Sequence, residues 1–199
     1  MERAPGRGEE APGGSDGAPG RSLRRVERQI VELLLVRHAI AFARDPDQWP
    51  DDGERPLSPE GEARCRKAAR GLKSVQPAVE LVLSSPYARA WQTAEILAEE
   101  AGWPSPEPCP ELEAERRPSD AMRVLRAPSN RDRGSLALVG HEPNLSELAS
   151  FLLTGAQSRL LIEMKKGGVA CLAFDEAPAA SKGLLRWVAT PKMLRLMAS

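Results

Sequence analysis

Residues 31–45, VELLLVRHAIAFARD, decide how the chain is read. Val31 and Leu33 to Val36 form a short aliphatic run, the pattern of a strand buried on both faces of a sheet. Arg37 and His38 arrive together at its carboxyl end. The chain has two histidines, and the second stands in the same setting: in SLALVGHEPNLSEL a strand from Ser135 to Val139 leads into Gly140 and His141. Two histidines, each at the end of a buried strand, form a pattern that asks for an explanation.

Working outward, strands and helices alternate. Ser58-Pro59-Glu60 reads as a helix start, with Ser as N-cap, Pro in the first position and an acid in the first turn. Cys65, Ala68, Ala69 and Leu72 make that helix's inward stripe. Val79 to Ser85 forms another buried strand. It is followed by a helix with Ser85 as N-cap, Pro86 at its first position, and Trp91, Ala94, Leu97, Ala98 and Ala101 on one apolar face. Trp91 is expected in the core. A shorter helix runs from Ser119 to about Arg126, and another from Asn144 to Leu153, closed by Gly155. GGVACLAFD and GLLRWVAT end the chain as two strands expected to pair antiparallel. Such alternation predicts an α/β fold with a mainly parallel central sheet and an antiparallel C-terminal edge. Ligands of these sheets bind beyond the carboxyl ends of the strands, which is where both histidines fall.

The chain's 199 residues are enough for one domain with a sizeable core. The Gly-, Pro- and Ala-rich start, residues 1–28, is expected to be a disordered leader, with a single domain over 29–199. Lys plus Arg and Asp plus Glu each number 28, so no net field argues for nucleic acid or an acidic membrane as partner. No apolar run is long enough to span a bilayer. Cys65, Cys109 and Cys171 are odd in number and widely spaced, forming neither a CxxC pair nor a disulfide framework. A reducing, cytoplasmic location is the expectation.

At the rim the residue types fit phosphoryl chemistry. Arg89, in SSPYARAWQTAE, falls just inside a helix N-terminus, whose free N–H groups favour an anion. Two guanidiniums beside two imidazoles suit a tetrahedral dianion. A metal fits poorly, because arginines repel a cation and no third ligand has suitable spacing. A neighbouring arginine also keeps the His38 ring neutral, with a lone pair available for nucleophilic attack and a phosphohistidine intermediate.

VRHA, SSPYARAWQTAE and VGHEP, in this order, resemble the histidine phosphatase superfamily, the phosphoglycerate-mutase-like phosphatases, and within it the SixA-type phosphohistidine phosphatases. The resemblance runs from about Val31 to the C-terminus and includes DDGERPLSPEG, similar to that branch's D-x-x-R-P-L segment. It implies a three-layer α/β/α sandwich, no metal and no organic cofactor. It also implies His38 as the phosphorylated nucleophile, with Arg37, Arg89 and His141 completing the phosphate pocket; Arg55 would add a contact, with Asp52 beside it. Two departures stand out. Ala39 replaces the usual glycine after the histidine, and PELEAERR places Ala114 where many relatives carry an acidic glutamate, leaving Glu113 or Asp52 as candidates for the general acid. The run Glu111 to Arg117 otherwise reads as a solvated loop. The expected activity is removal of a phosphoryl group from a protein phosphohistidine, as on a histidine phosphotransfer domain. The alternatives are a phosphatase for small phosphate esters, or a phosphate-binding adaptor without catalysis.

Overall fold

The structure, a computed structural model, describes residues 30–76, 78–131 and 133–198; the expected leader lies outside them. Six strands, β1 (Val31–Arg37), β2 (Leu81–Ser84), β3 (Glu107–Pro108), β4 (Ser135–Gly140), β5 (Val169–Phe174) and β6 (Leu184–Ala189), form one sheet in the order β3-β2-β4-β1-β5-β6. β1, β4, β2 and β3 run parallel, while β5 and β6 are antiparallel to their neighbours. Helices α1 (Pro59–Val75), α2 (Ala88–Ile96), α3 (Pro118–Leu125), α4 (Pro128–Arg131), α5 (Asn144–Thr154) and α6 (Pro191–Met197) flank it. None of the described helices is long and apolar enough to cross a membrane.

Side-chain alternation along the strands divides the core into two. Leu34, Val36, Val82, Ala137 and Val139 pack on one face against α1, α2 and α6; Leu33, Leu35, Leu81, Leu83, Leu136 and Leu138 pack on the other against α3 and α5. The result is the three-layer sandwich implied by the resemblance. On the first face, small residues let helices approach closely. A Cβ on Gly61 would lie 1.8 Å from the Ile40 carbonyl oxygen, and one on Gly71 would lie 1.8 Å from that of Leu194. The first contact seats the start of α1 against the segment leaving β1, and the second locks α6 onto α1.

Three expectations are amended. α2 starts at Ala88, with Tyr87 as the flanking residue, rather than directly after a Ser85 cap; the Ser85 hydroxyl accepts from the Tyr87 N–H and also faces a histidine at the sheet rim. Trp91, expected in the core, is half-buried and its Nε1–H donates to Glu95; Thr93, Ala94, Ile96 and Leu97 take the buried face. The chain ends in α6 rather than in a strand, capped by Thr190 with Pro191 following, the same signal as Ser58-Pro59 at α1. α2 itself runs on into a π-helical turn, Leu97–Ala101, which ends at Gly102 with a left-handed φ of 77°.

Candidate active site

The pairing of β1 with β4 brings the histidines together. Arg37 is in register with Gly140, and the next residue, His38, donates its backbone N–H to the Gly140 carbonyl at 3.0 Å. His38 and His141 therefore leave adjacent strands side by side, with ring centroids 5.0 Å apart and both rings buried.

His38 Nδ1 lies 2.7 Å from the Ala39 carbonyl oxygen. A carbonyl only accepts, so Nδ1 carries the proton and the lone pair is on Nε2. Burial pushes the ring's pKa down to about 3, helped by Arg89, Arg37 and Lys166 and opposed by the Ala39 hydrogen bond. The ring is neutral at physiological pH. Ala39 is buried, and its N–H donates to Thr93 Oγ1, whose hydroxyl donates to the Arg89 carbonyl. The backbone after β1 is thereby tied to α2.

Asp52 gathers two of the arginines. Arg55 donates to its carboxylate through Nε at 2.8 Å and Nη2 at 3.2 Å. Arg89, which is 3% exposed, reaches the same carboxylate at 3.1 Å and the Asp52 carbonyl at 2.7 Å. The Arg55 hydrogen bond and both nearby guanidiniums hold the Asp52 carboxyl below its usual range, so it is an anion near neutrality. Arg37 is fixed separately, donating from Nη1 to the Met164 carbonyl at 2.7 Å. Lys166 faces this group; desolvation first, then Arg37, Arg55 and Arg89, lower its pKa.

Beyond the histidines, Ser85 completes a relay. Its Oγ accepts from the Tyr87 N–H at 3.3 Å and lies 3.0 Å from His141 Nε2. Desolvation, then the neighbouring His38 ring, push the His141 pKa down to about 2, so this ring is neutral as well. In the tautomer where the Ser85 hydroxyl donates to Nε2, the His141 proton is on Nδ1, which has no protein partner and can donate to an anion. The Tyr87 ring lies edge-on to His141 with centroids 5.2 Å apart, and Arg89 sits over that ring at 5.1 Å. The Tyr87 hydroxyl donates to Glu115. Glu115 thus joins the rim from a run expected to be a solvated loop. Glu113 is paired elsewhere: its carboxylate accepts from Arg116 Nε at 3.1 Å, and its carbonyl accepts from the Asn144 side-chain amide at 3.2 Å.

Buried polar atoms in proteins nearly always find partners, so exceptions carry information. Among the described residues three buried side-chain atoms have none: Arg37 Nε, Arg89 Nε and His141 Nδ1. All three belong to the ring of residues around His38. Two arginine donors and a neutral imidazole N–H beside an imidazole lone pair make a setting for a phosphoryl group.

The family model of the histidine phosphatase superfamily, branch 1, matches residues 33–116. An uncharacterized protein of Picosynechococcus is 34% identical over 139 residues, spanning 70% of this chain and 82% of its own length. The chain belongs to the histidine phosphatase superfamily. It is similar, at 28% identity over 167 residues, to the phosphohistidine phosphatase SixA of Escherichia coli, covering 83% of this chain and 98% of that one. The structure of a SixA protein histidine phosphatase complexed with tungstate superposes with a TM-score of 0.69 at 26% identity, over 81% of this chain and 98% of that one.

This histidine phosphatase therefore has a phosphatase fold and a rim holding His38, His141, Arg37, Arg89, Arg55 and Asp52 in one cluster. Ser85, Tyr87, Glu115 and Lys166 belong to it too, though sequence reasoning did not single them out. Ser85 and Tyr87 lie inside the SSPYAR stretch, where a hydroxyl facing a histidine was the available signal. Lys166 stands just before β5, and nothing local marks it as a rim residue. Among the described residues no group of three His, Cys, Asp or Glu side chains is placed to share a metal ion.

Proposed function

We propose that this phosphatase removes the phosphoryl group from phosphohistidine on a protein, with a histidine phosphotransfer domain as the natural substrate class. The observation that supports the reading is that three buried atoms lack a partner, Arg37 Nε, Arg89 Nε and His141 Nδ1, and that they belong to the two arginines whose charge acts on His38 and to the imidazole beside it. In the first step His38 Nε2 attacks phosphorus, forming a new N–P bond as the substrate's N–P bond breaks. The departing imidazole already carries a proton on its other nitrogen and leaves neutral. Water then attacks the phosphoenzyme, releasing orthophosphate and restoring His38. Arg37, Arg89 and the His141 N–H stabilise the equatorial oxygens in both transfers. Arg55 contributes positive charge, and Asp52 acts as a positioning residue, aiming two guanidiniums rather than touching the phosphate itself.

The substrate class rests on leaving-group chemistry. An alkoxide needs an acid to protonate it, whereas a protonated imidazole does not. Ala114 carries no acid, Glu113 is turned to Arg116, Glu115 accepts from the Tyr87 hydroxyl, and Asp52 is held as a carboxylate. Similarity to SixA phosphohistidine phosphatases points the same way. The test compares wild type and His38→Ala on a phosphorylated phosphotransfer domain and on an aryl phosphate. Wild type should clear the phosphohistidine and form an acid-labile, base-stable phosphoenzyme, and the variant should do neither. A strong preference for the aryl ester would transfer the site to small phosphate esters. Equal activity of His38→Ala would refute the mechanism, and retained phosphate binding without turnover in wild type would make the chain an adaptor.

A further inference from the structure

A second cavity opens beside the catalytic rim. It has a volume of about 540 Å³ and lies between the first turns of α1 and α6, under the segment Lys165 to Gly167. Its origin is the close contact of the two helices at Gly71 and Leu194, which leaves their rim ends separated by small residues. The floor is apolar, from Ile40, Cys65, Ala68 and Pro191. None of His38, His141 and Arg89 lines it; Ala39, next in the chain to His38, and Gly167 form part of its wall, and Arg37, which also lines it, acts electrostatically on His38 as well.

The mouth is strongly basic. Arg37, Arg64, Lys165, Lys166, Lys192 and Arg195 line the cavity, and no acidic side chain does. Arg64 and Lys165 are paired with Glu60 and Glu163 outside it. Among the described residues the other four make no ion pair. Like charges gathered around one apolar floor repel one another and make the mouth attractive to an anion. Lys192 and Lys166 are solvent-exposed, whereas Arg195 is half-buried.

We propose that this cavity is a binding site for a small organic anion with an apolar body, such as an aryl or alkyl carboxylate, sulfonate or phosphate. The volume lies within the range of ligand pockets, about 300–1,000 Å³, and exceeds what one protein side chain fills. The charge supplies the sign of the head group, and the floor supplies the partner for the body. Because Arg37 serves both spaces, an anion held here draws its guanidinium away from the phosphoryl group at His38. Occupancy therefore slows the phosphatase, and by linkage an anion at His38 weakens the second ligand.

The probe is anilinonaphthalene sulfonate, titrated into the full chain by fluorescence and calorimetry. About one equivalent should bind. Reversing two mouth charges in Lys192→Glu/Arg195→Glu should weaken it about tenfold or more, with unliganded phosphatase activity within about twofold of wild type. Ile40→Trp, which narrows the cavity without changing charge, should also weaken it. Saturating tungstate should reduce affinity only a few-fold (~3) through Arg37. Unchanged affinity in both variants overturns the proposal. So does complete displacement by tungstate, which would put the probe in the catalytic pocket. Absence of binding to wild type overturns it too; a raised KM of the charge-reversed variant for a phosphorylated protein would then assign this face to docking of that protein.

Discussion

Folding this site requires burying two neutral imidazoles, and stability must therefore depend on pH through them. Both are held far below the ordinary histidine value of 6.5, His38 at about 3 and His141 at about 2, chiefly by burial. In the unfolded chain each accepts a proton as pH falls through 6.5; in the folded chain neither does until far lower. The unfolded state then binds more protons, so stability is full above the unfolded pKa and falls as pH drops below it. The loss is about 1.4 kcal/mol per pH unit for each ring. At about pH 5, one and a half units below the unfolded value, the loss is about 2 kcal/mol per histidine and about 4 kcal/mol for the pair. Asp52, held below its ordinary 3.8, contributes stability that is lost only at still lower pH, outside this window. The assay is urea unfolding in phosphate-free buffer between about pH 8 and 5, followed by tryptophan fluorescence, with buried Trp103 as a core reporter. Wild type should lose about 4 kcal/mol across the window, His38→Gln or His141→Gln alone about 2 kcal/mol, and the double variant close to none from this source. A single variant whose stability falls as steeply as that of wild type would refute the reasoning, because the ring it lacks would then have titrated alike in both states.

Three further outcomes are expected. Asp52→Asn should keep the fold but release Arg55 and Arg89, lowering kcat on the order of 10- to 100-fold in steady-state assays, as loss of an orienting partner does. Gly61→Ala must displace α1 from the Ile40 carbonyl and should cost about 3 kcal/mol or more of stability, read from urea midpoints, with phosphatase activity falling in parallel. Ser85→Ala leaves the buried His141 Nε2 without its hydroxyl and should cost about 1–3 kcal/mol, while Ser85→Thr should recover part of both stability and turnover.

What could be read from the sequence is what the backbone dictates locally. The aliphatic runs at β1 and β4 identify strands, and a residue placed just past a strand end lies at the rim whatever its side chain does. Ser58-Pro59 carries its own helix-start chemistry and indeed begins α1. The failures have another character. Ser85 looks like an N-cap, yet its hydroxyl, besides accepting from the Tyr87 N–H, has a second partner 56 residues away, in His141. Trp91 looks like core by its size, but at the edge of α2 its indole N–H finds Glu95 and the ring stays half in solvent. Glu113 and Glu115 are equivalent on paper; only tertiary structure turns one to Arg116 and the other to Tyr87. α6 leaves little trace in the sequence because its inward face is little more than Leu194, too few apolar residues to show a period.

The hydrogen bond from the His38 amide to the Gly140 carbonyl has a consequence for how this site can change. The 5.0 Å between the two rings is close to the repeat between neighbouring strands, about 4.8 Å. The spacing of the reacting pair is thus a property of the main chain and is inherited by any sequence that keeps β1 and β4 in register. Core residues can be exchanged, and the segments 41–57 and 163–168 rebuilt, without resetting that distance. Loop variation that keeps Asp52, Arg55 and the Met164 carbonyl in place can then reach new substrates, while the spacing of the two imidazoles stays set by the sheet.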